Sequence, residues 1–277
     1  MNIKRGFLRI EEGQVHYRAV GKILNSKKPL VMIHSSPASA LNLQPLMQEL
    51  HSIGVSPIYA PDTLGNGDSC KPKPTIPDID YYADTLKRQL KELNVDNIDL
   101  YGTHTGGSIA LELAIQEPSI INKLIIDGIG MYSEEDKVDM INNYAPEIKP
   151  DIMGTQLNWA WHFIRDQNFF FPWYKKSLNN QLNKGISNPD SLHDSVVEVL
   201  KSLDSYHHAY RAAFNYPKKE KLKEVKSKIL LIYEKNDPLY RYKNEALISN
   251  KNITDAELDD NTDLTIKAKK ILNWLNI

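Results

Sequence analysis

One cysteine, Cys70, stands in the 277 residues, so the chain cannot close a disulfide on itself. Nor does either sign of charge prevail. Thirty-four Lys and Arg face 35 Asp and Glu, a formal net charge of −1. That balance excludes the broad field by which a protein holds nucleic acid or an anionic membrane. No apolar run approaches the roughly 18 residues a spanning helix needs. The segment Met1–Ile10, MNIKRGFLRI, has no apolar core and no cleavage site, so no secretory signal is expected. These absences favour a cytoplasmic protein. A further absence bears on chemistry. The eight histidines stand at positions 16, 34, 51, 104, 162, 193, 207 and 208, and none follows His208.

What is present reads as one large α/β domain with room for a sizeable core. Phe7–Ile10 and Gln14–Val20 read as two strands joined by a turn. Leu30-Val31-Met32-Ile33 is a continuous apolar run, as a strand covered on both faces requires. Strand ends at Ile58–Asp62, Leu124–Asp127 and Lys228–Tyr233 follow, with a short last strand at Ala256–Leu258. Between them, helical spacing of apolar residues predicts helices over 41–53, 80–93, 108–116 and 265–275. Alternation of this kind predicts a mostly parallel sheet covered by helices. Residues 132–225 break it. They carry several helical patterns, no clear strand and many aromatics, among them Trp159, Phe163, Phe171 and Trp173. The organisation expected is a core of residues 1–131 and 226–277 with a helical cap at 132–225.

The most informative segment is Asn97 to Gly107, read as strand, sharp turn and helix start. Its centre is Gly102-Thr103-His104-Thr105-Gly106. Three other stretches belong with it in order: His34-Ser35-Ser36-Pro37 after a buried strand, Pro61-Asp62-Thr63-Leu64-Gly65-Asn66-Gly67-Asp68-Ser69, and Tyr233-Glu234-Lys235-Asn236-Asp237-Pro238. Together they resemble the α/β-hydrolase superfamily over nearly the whole chain. Gly-x-His-x-Gly matches that superfamily's Gly-x-Ser-x-Gly nucleophile elbow in every slot but the central one. His34 to Pro37 resembles its His-Gly-x-Pro oxyanion loop, with Ser35 where the glycine is usual. Asp237 stands where the resemblance places the triad acid. The resemblance also implies a late histidine near Asp259–Leu264, where this chain has none. Serine and late histidine are both replaced or missing; the acid is kept.

An imidazole is longer than a serine side chain. From the elbow, His104 is expected to reach Asp237, which would fix its tautomer and raise its basicity. Backbone N–H groups of Thr105, and of Ser35 or Ser36, would stabilise an oxyanion. Three chemistries fit. His104 is a general base for hydrolysis or for cofactor-free lyase chemistry; it is a nucleophile forming an acyl-imidazole; or the site is inactive and binds a small molecule. Trp159, His162, Phe163 and Asp166 share one helical face. From the cap, His162 is the residue able to supply a second imidazole, with Trp159 and Phe163 contacting substrate and His34 bordering the pocket. His34 and Asp62 also suit structural roles in their loops. The ligand expected is a small molecule, apolar or aromatic in part. No cofactor and no metal is expected, since no His-x-x-x-His or Cys-rich spacing occurs. The mixed run Lys218–Glu224 reads as solvated surface.

Overall fold

The computed structural model describes residues 3–22, 28–260 and 262–275. An eight-stranded sheet organises the chain, in the order β1-β2-β4-β3-β5-β6-β7-β8. The strands are β1 Lys4–Ile10, β2 Gly13–Val20, β3 Leu30–Ile33, β4 Ile58–Pro61, β5 Ile98–Thr103, β6 Ile121–Asp127, β7 Lys228–Glu234 and β8 Ile253–Leu258. The β1–β2 and β2–β4 pairings are antiparallel, and the rest of the sheet is parallel. All four residues of β3 are buried, because helices cover both faces of the sheet there.

One face is covered by α1 Ala40–Ser52 and α10 Leu264–Leu275, whose Leu43, Met47, Leu50, Ala268 and Ile271 pack on Met32, Ile58 and Ile232. The other is covered by α2 Ile79–Glu92 and α3 Thr105–Gln116, whose Tyr82, Leu86, Leu90, Ile109 and Leu113 pack on Val31, Leu100 and Ile126. Local chemistry sets where the helices start. Ser39 Oγ accepts the Leu41 N–H to cap α1, and Asp78 accepts the Tyr81 N–H to cap α2. The helix α3 begins three residues earlier than the apolar spacing predicts, directly after His104.

Between β6 and β7 the chain runs through α4 Glu134–Asn143, α5 Thr155–Asp166, α6 Pro189–Lys201, α7 Tyr206–Asn215 and α8 Lys218–Leu222. This inserted segment has its own core, in which Met140, Tyr144, Ala160, Phe163, Leu192, Val199, Tyr206 and Phe214 are buried together. A short α9, Lys243–Leu247, lies between β7 and β8. Among the described residues, no helix is long and apolar enough to cross a membrane.

Candidate active site

The turn from β5 into α3 holds His104 at φ 49°, ψ −108°, a backbone conformation that side-chain-bearing residues rarely adopt. The flanking glycines make the turn possible. A side chain on Gly102 would collide with the backbone of Gly106, and one on Gly106 with the carbonyls of Ile33 and His34. The elbow therefore packs β5, α3 and the end of β3 backbone to backbone, as the Gly-x-His-x-Gly spacing demands. The His104 N–H donates to the Asp127 carbonyl at 3.1 Å, tying the turn to the end of β6.

His104 Nε2 lies 2.7 Å from Asp237 Oδ2. The other carboxylate oxygen, Oδ1, accepts the Leu239 N–H at 2.7 Å, so the acid is held from both sides. Burial alone would raise the Asp237 carboxyl, but the charge and hydrogen bond of His104 outweigh it and hold the carboxyl down at about 2. For His104 burial works downward, and the Asp237 charge and hydrogen bond reverse it, leaving the imidazole above its ordinary value. Asp237 is thus an acceptor, Nε2–H donates to it, and Nδ1 becomes the basic position of the neutral ring. The His104 side chain remains 38 % exposed, open to an adjoining cavity, against 19 % for Asp237.

Gly128, just past β6, makes space for this pair. Its φ is +73°, and a Cβ there would sit 2.8 Å from His104 Cδ2 and 2.9 Å from His104 Nε2. Its N–H donates to the Ile232 carbonyl at 2.9 Å, which fixes the loop.

The cavity measures about 870 Å³, and His104, Asp237, Ser35, Ser36 and Thr105 line it together. The Thr105 N–H, at the first position of α3, has no intrahelical acceptor. Aromatic walls come from Tyr132, Tyr144, Phe171, Tyr210 and Phe214, whose rings contact one another. Polar residues of the inserted segment, including Lys184, Asp194 and Glu198, complete the lining. The Lys184 charge reaches both members of the pair and opposes protonation of each.

Four residues expected at the pocket lie elsewhere. Phe163 is fully buried in the core of the inserted segment, and Trp159 stacks on it with ring centroids 4.8 Å apart. His162 pairs through Nδ1 with Arg165 Nη2 at 2.8 Å and does not line the cavity. Ile164, Gln167 and Asn168, at the end of α5 and just past it, line the cavity instead. The physical reason is that the aromatic stripe is what holds α5 to its neighbours, so that face is turned away from the site. His34 is also outside the lining. It is buried, its Nε2 accepts the Thr63 N–H at 2.8 Å, and its Nδ1–H donates to the Ser35 carbonyl at 2.8 Å. That neutral tautomer ties the β3 loop to the β4 loop, and burial pushes its pKa down.

Asp62 does the same for its own loops, accepting from the Ala40 and Asp68 N–H groups, each at 2.9 Å, and from His16 Nδ1 at 2.8 Å. His16, Asp62 and Asp68 are also, among the described residues, the set whose geometry suits a metal ion. Side chains of the chain already fill that role: Arg5 contacts His16 Nε2 at 2.9 Å and Asp68 at 2.5 Å, and Lys201 reaches Asp68 at 2.7 Å.

Sequence reasoning missed Gly128, the tyrosines of the wall, Lys184 and Lys218. The last was assigned to a solvated run, yet it is 6 % exposed and lines the cavity. The run is amphipathic: Lys219 and Glu220 are exposed while Lys218 and Leu222 turn inward.

Residues 28–257 match the family model described as alpha/beta hydrolase fold, and the chain belongs to that family. Among solved structures it is similar to the enol-lactonase from Burkholderia xenovorans LB400, with a TM-score of 0.72 at 14 % identity over 98 % of this chain and 100 % of that one. A thermophilic esterase from Thermogutta terrifontis superposes with a TM-score of 0.73 at 15 % identity, covering 99 % and 98 % of the two chains. In sequence, a proline iminopeptidase of Clostridium botulinum is 31 % identical over 128 residues, 46 % of this chain and 43 % of that protein. A 2-hydroxymuconate semialdehyde hydrolase of a Pseudomonas species is 35 % identical over 103 residues, 36 % of each chain. The matched segments thus span less than half the length of these curated relatives.

Proposed function

We propose that the protein hydrolyses an ester-like bond of a small molecule, with His104 acting as general base in place of a serine nucleophile. The observation that carries this reading is the 2.7 Å contact between His104 Nε2 and Asp237 Oδ2 at a cavity wall. Nε2–H held by an ionised carboxylate leaves the Nδ1 lone pair to take a proton from water. The water oxygen adds to the carbonyl carbon, and the resulting oxyanion is stabilised by the Thr105 N–H and an N–H of Ser35 or Ser36. Collapse of the adduct expels the alkoxide, which recovers the proton from the imidazolium. Residues 132–225 serve as the cap, and the aromatic wall from Tyr132 to Phe214 receives an apolar part of the substrate.

The absence of any histidine after His208 argues against a serine-type relay, since a nucleophilic serine would lack its base. The relatives named above are hydrolases, which supports the class of reaction while leaving the bond open. A panel of p-nitrophenyl and alkyl esters tests the reading. Turnover by the wild type that falls by about 10²–10⁴-fold in His104→Ala supports it, in the range that general-base catalysis supplies. Turnover unchanged in His104→Ala removes His104 from the mechanism. Stoichiometric labelling of a cavity serine, Ser35, Ser36 or Ser108, by a fluorophosphonate would contradict it as well. Ligand binding without turnover would assign the cavity to a binding protein.

A further inference from the structure

Lys218 stands apart from the other lysines that the fold encloses. Lys243 and Lys267 are also largely buried, and each faces two carboxylates: Asp255 and Glu257 in the first case, Asp127 and Glu234 in the second. Lys218 has no carboxylate within ion-pair distance among the described residues. Its ammonium donates to the Ala213 carbonyl and lies 5.5 Å from the centroid of the Tyr132 ring. An ammonium has three donors, and the Ala213 carbonyl satisfies one. The charged side chain whose field reaches it is a second cation, Lys137. Burial, with Lys137 adding to it, pulls the amine down to about 7. A buried cation without a counter-charge is costly to the fold, and one that borders a cavity can receive its counter-charge from a ligand.

The surroundings say from which side a ligand comes. Lys218 lines the 870 Å³ cavity together with Ala213, Tyr132 and Phe214. It also borders a separate cavity of about 530 Å³, whose walls carry Glu134, Asp136, Glu220 and Glu245 beside Lys137 and Lys219. Each cavity carries four carboxylates, Asp190, Asp194, Glu198 and Asp237 in the main one, so charge alone does not choose between them; the main cavity is the one whose aromatic wall, Tyr132, Tyr210 and Phe214, leads from Lys218 as an apolar approach. Glu198 and Asp194 elsewhere in the main cavity disfavour a group of higher negative charge.

We propose that Lys218 anchors a carboxylate carried by the substrate, so that the molecule taken is an ester with an apolar or aromatic spacer and a remote carboxylate. The carboxylate accepts the two free N–H donors of Lys218, and the spacer lies along Tyr132, Tyr210 and Phe214. Binding keeps the lysine protonated. This inference rests on the hydrolytic reading for the fate of the ester, but the anchoring itself needs no turnover.

The test is calorimetric titration of the full chain with 3-phenylpropionate and with its neutral primary amide. Wild type and His104→Ala are expected to bind the acid about tenfold more tightly than the amide near pH 6.5, and Lys218→Met to bind the two within about twofold. Methionine fills the same space without charge, so the variant is expected to fold. A second measurement does not need it. In His104→Ala, where the titrating imidazole of the site is gone, affinity for the acid falls up to about tenfold per pH unit above 7 while that for the amide stays level, because loss of the lysine proton competes with binding. Equal binding of acid and amide by the wild type overturns the proposal. So does a preference that survives Lys218→Met, or a flat pH profile in His104→Ala. Ester turnover without a carboxylate preference would sink this inference alone; carboxylate anchoring without turnover would sink the hydrolytic reading alone.

Discussion

Gly128 and the His104 ring compete for one space: a methyl group at Gly128 would lie 2.8 Å from Cδ2 and 2.9 Å from Nε2 of the imidazole. The His104 ring is therefore positioned by an absence of side chain just past a neighbouring strand. Gly128→Ala is expected to push the imidazole off Asp237 and lower kcat/KM on the best ester by about 10²-fold, the scale of a displacement near 1 Å. The positive φ of Gly128 adds a stability loss on the order of 1 kcal/mol. A Gly128→Ala protein that keeps wild-type kcat/KM would show that the ring tolerates displacement.

His162 gives the opposite expectation. It pairs with Arg165 and stays out of the cavity lining. His162→Ala is expected to leave kcat and KM within about twofold of wild type, since no catalytic role is assigned to it. A drop of a hundredfold would mean that α5 rearranges to bring this imidazole to the substrate.

Phe163 is fully buried against Trp159, Tyr206 and Trp173. Phe163→Ala should cost about 3–5 kcal/mol of stability by leaving a cavity in the core of the inserted segment. Denaturant unfolding reads it, and a loss under 1 kcal/mol would show that this core collapses around the gap.

Asp62 predicts a pH dependence of stability. Burial alone would raise its carboxyl; hydrogen bonds from His16, Asp68 and Ala40 bring it below the usual carboxylate value. A depressed folded-state value means stability that is present above the unfolded-state value of about 3.9 and is lost as pH falls below it. Asp62→Ala, which strands those donors, should cost about 3–5 kcal/mol near pH 7 and flatten the acid limb of the stability curve. An unchanged acid limb would assign that stability to other groups.

The sequence displays what repeats or constrains backbone and hides what depends on which face turns inward. β3 was legible from four apolar residues in a row, and the elbow from Gly102 and Gly106, because both glycines are forced by backbone contacts. His104 and Asp237 were legible because their places follow from strand ends. Trp159, His162 and Phe163 misled because an aromatic stripe at helical spacing marks a buried face without saying against what it is buried. Here it is the inserted segment's own core. Lys218 misled in the other direction: its charged neighbours Lys219 and Glu220 are solvated, and only the helix phase of α8 sends Lys218 inward. Gly128 carries no local signal, since the side chain it must avoid belongs to the distant turn from β5 into α3.

The pH dependence of kcat/KM for the best ester, measured in the wild type and in Asp237→Asn, tests the His104–Asp237 pair most directly. The base works only when neutral, and Asp237 holds the imidazole above its ordinary value of about 6.5, so the rate should rise with pH through a limb above 6.5. Asparagine removes the charge and leaves the burial, so the limb should move below 6.5 and the plateau should fall. A limb at the same pH in both proteins, or no limb at all, would contradict catalysis by this pair.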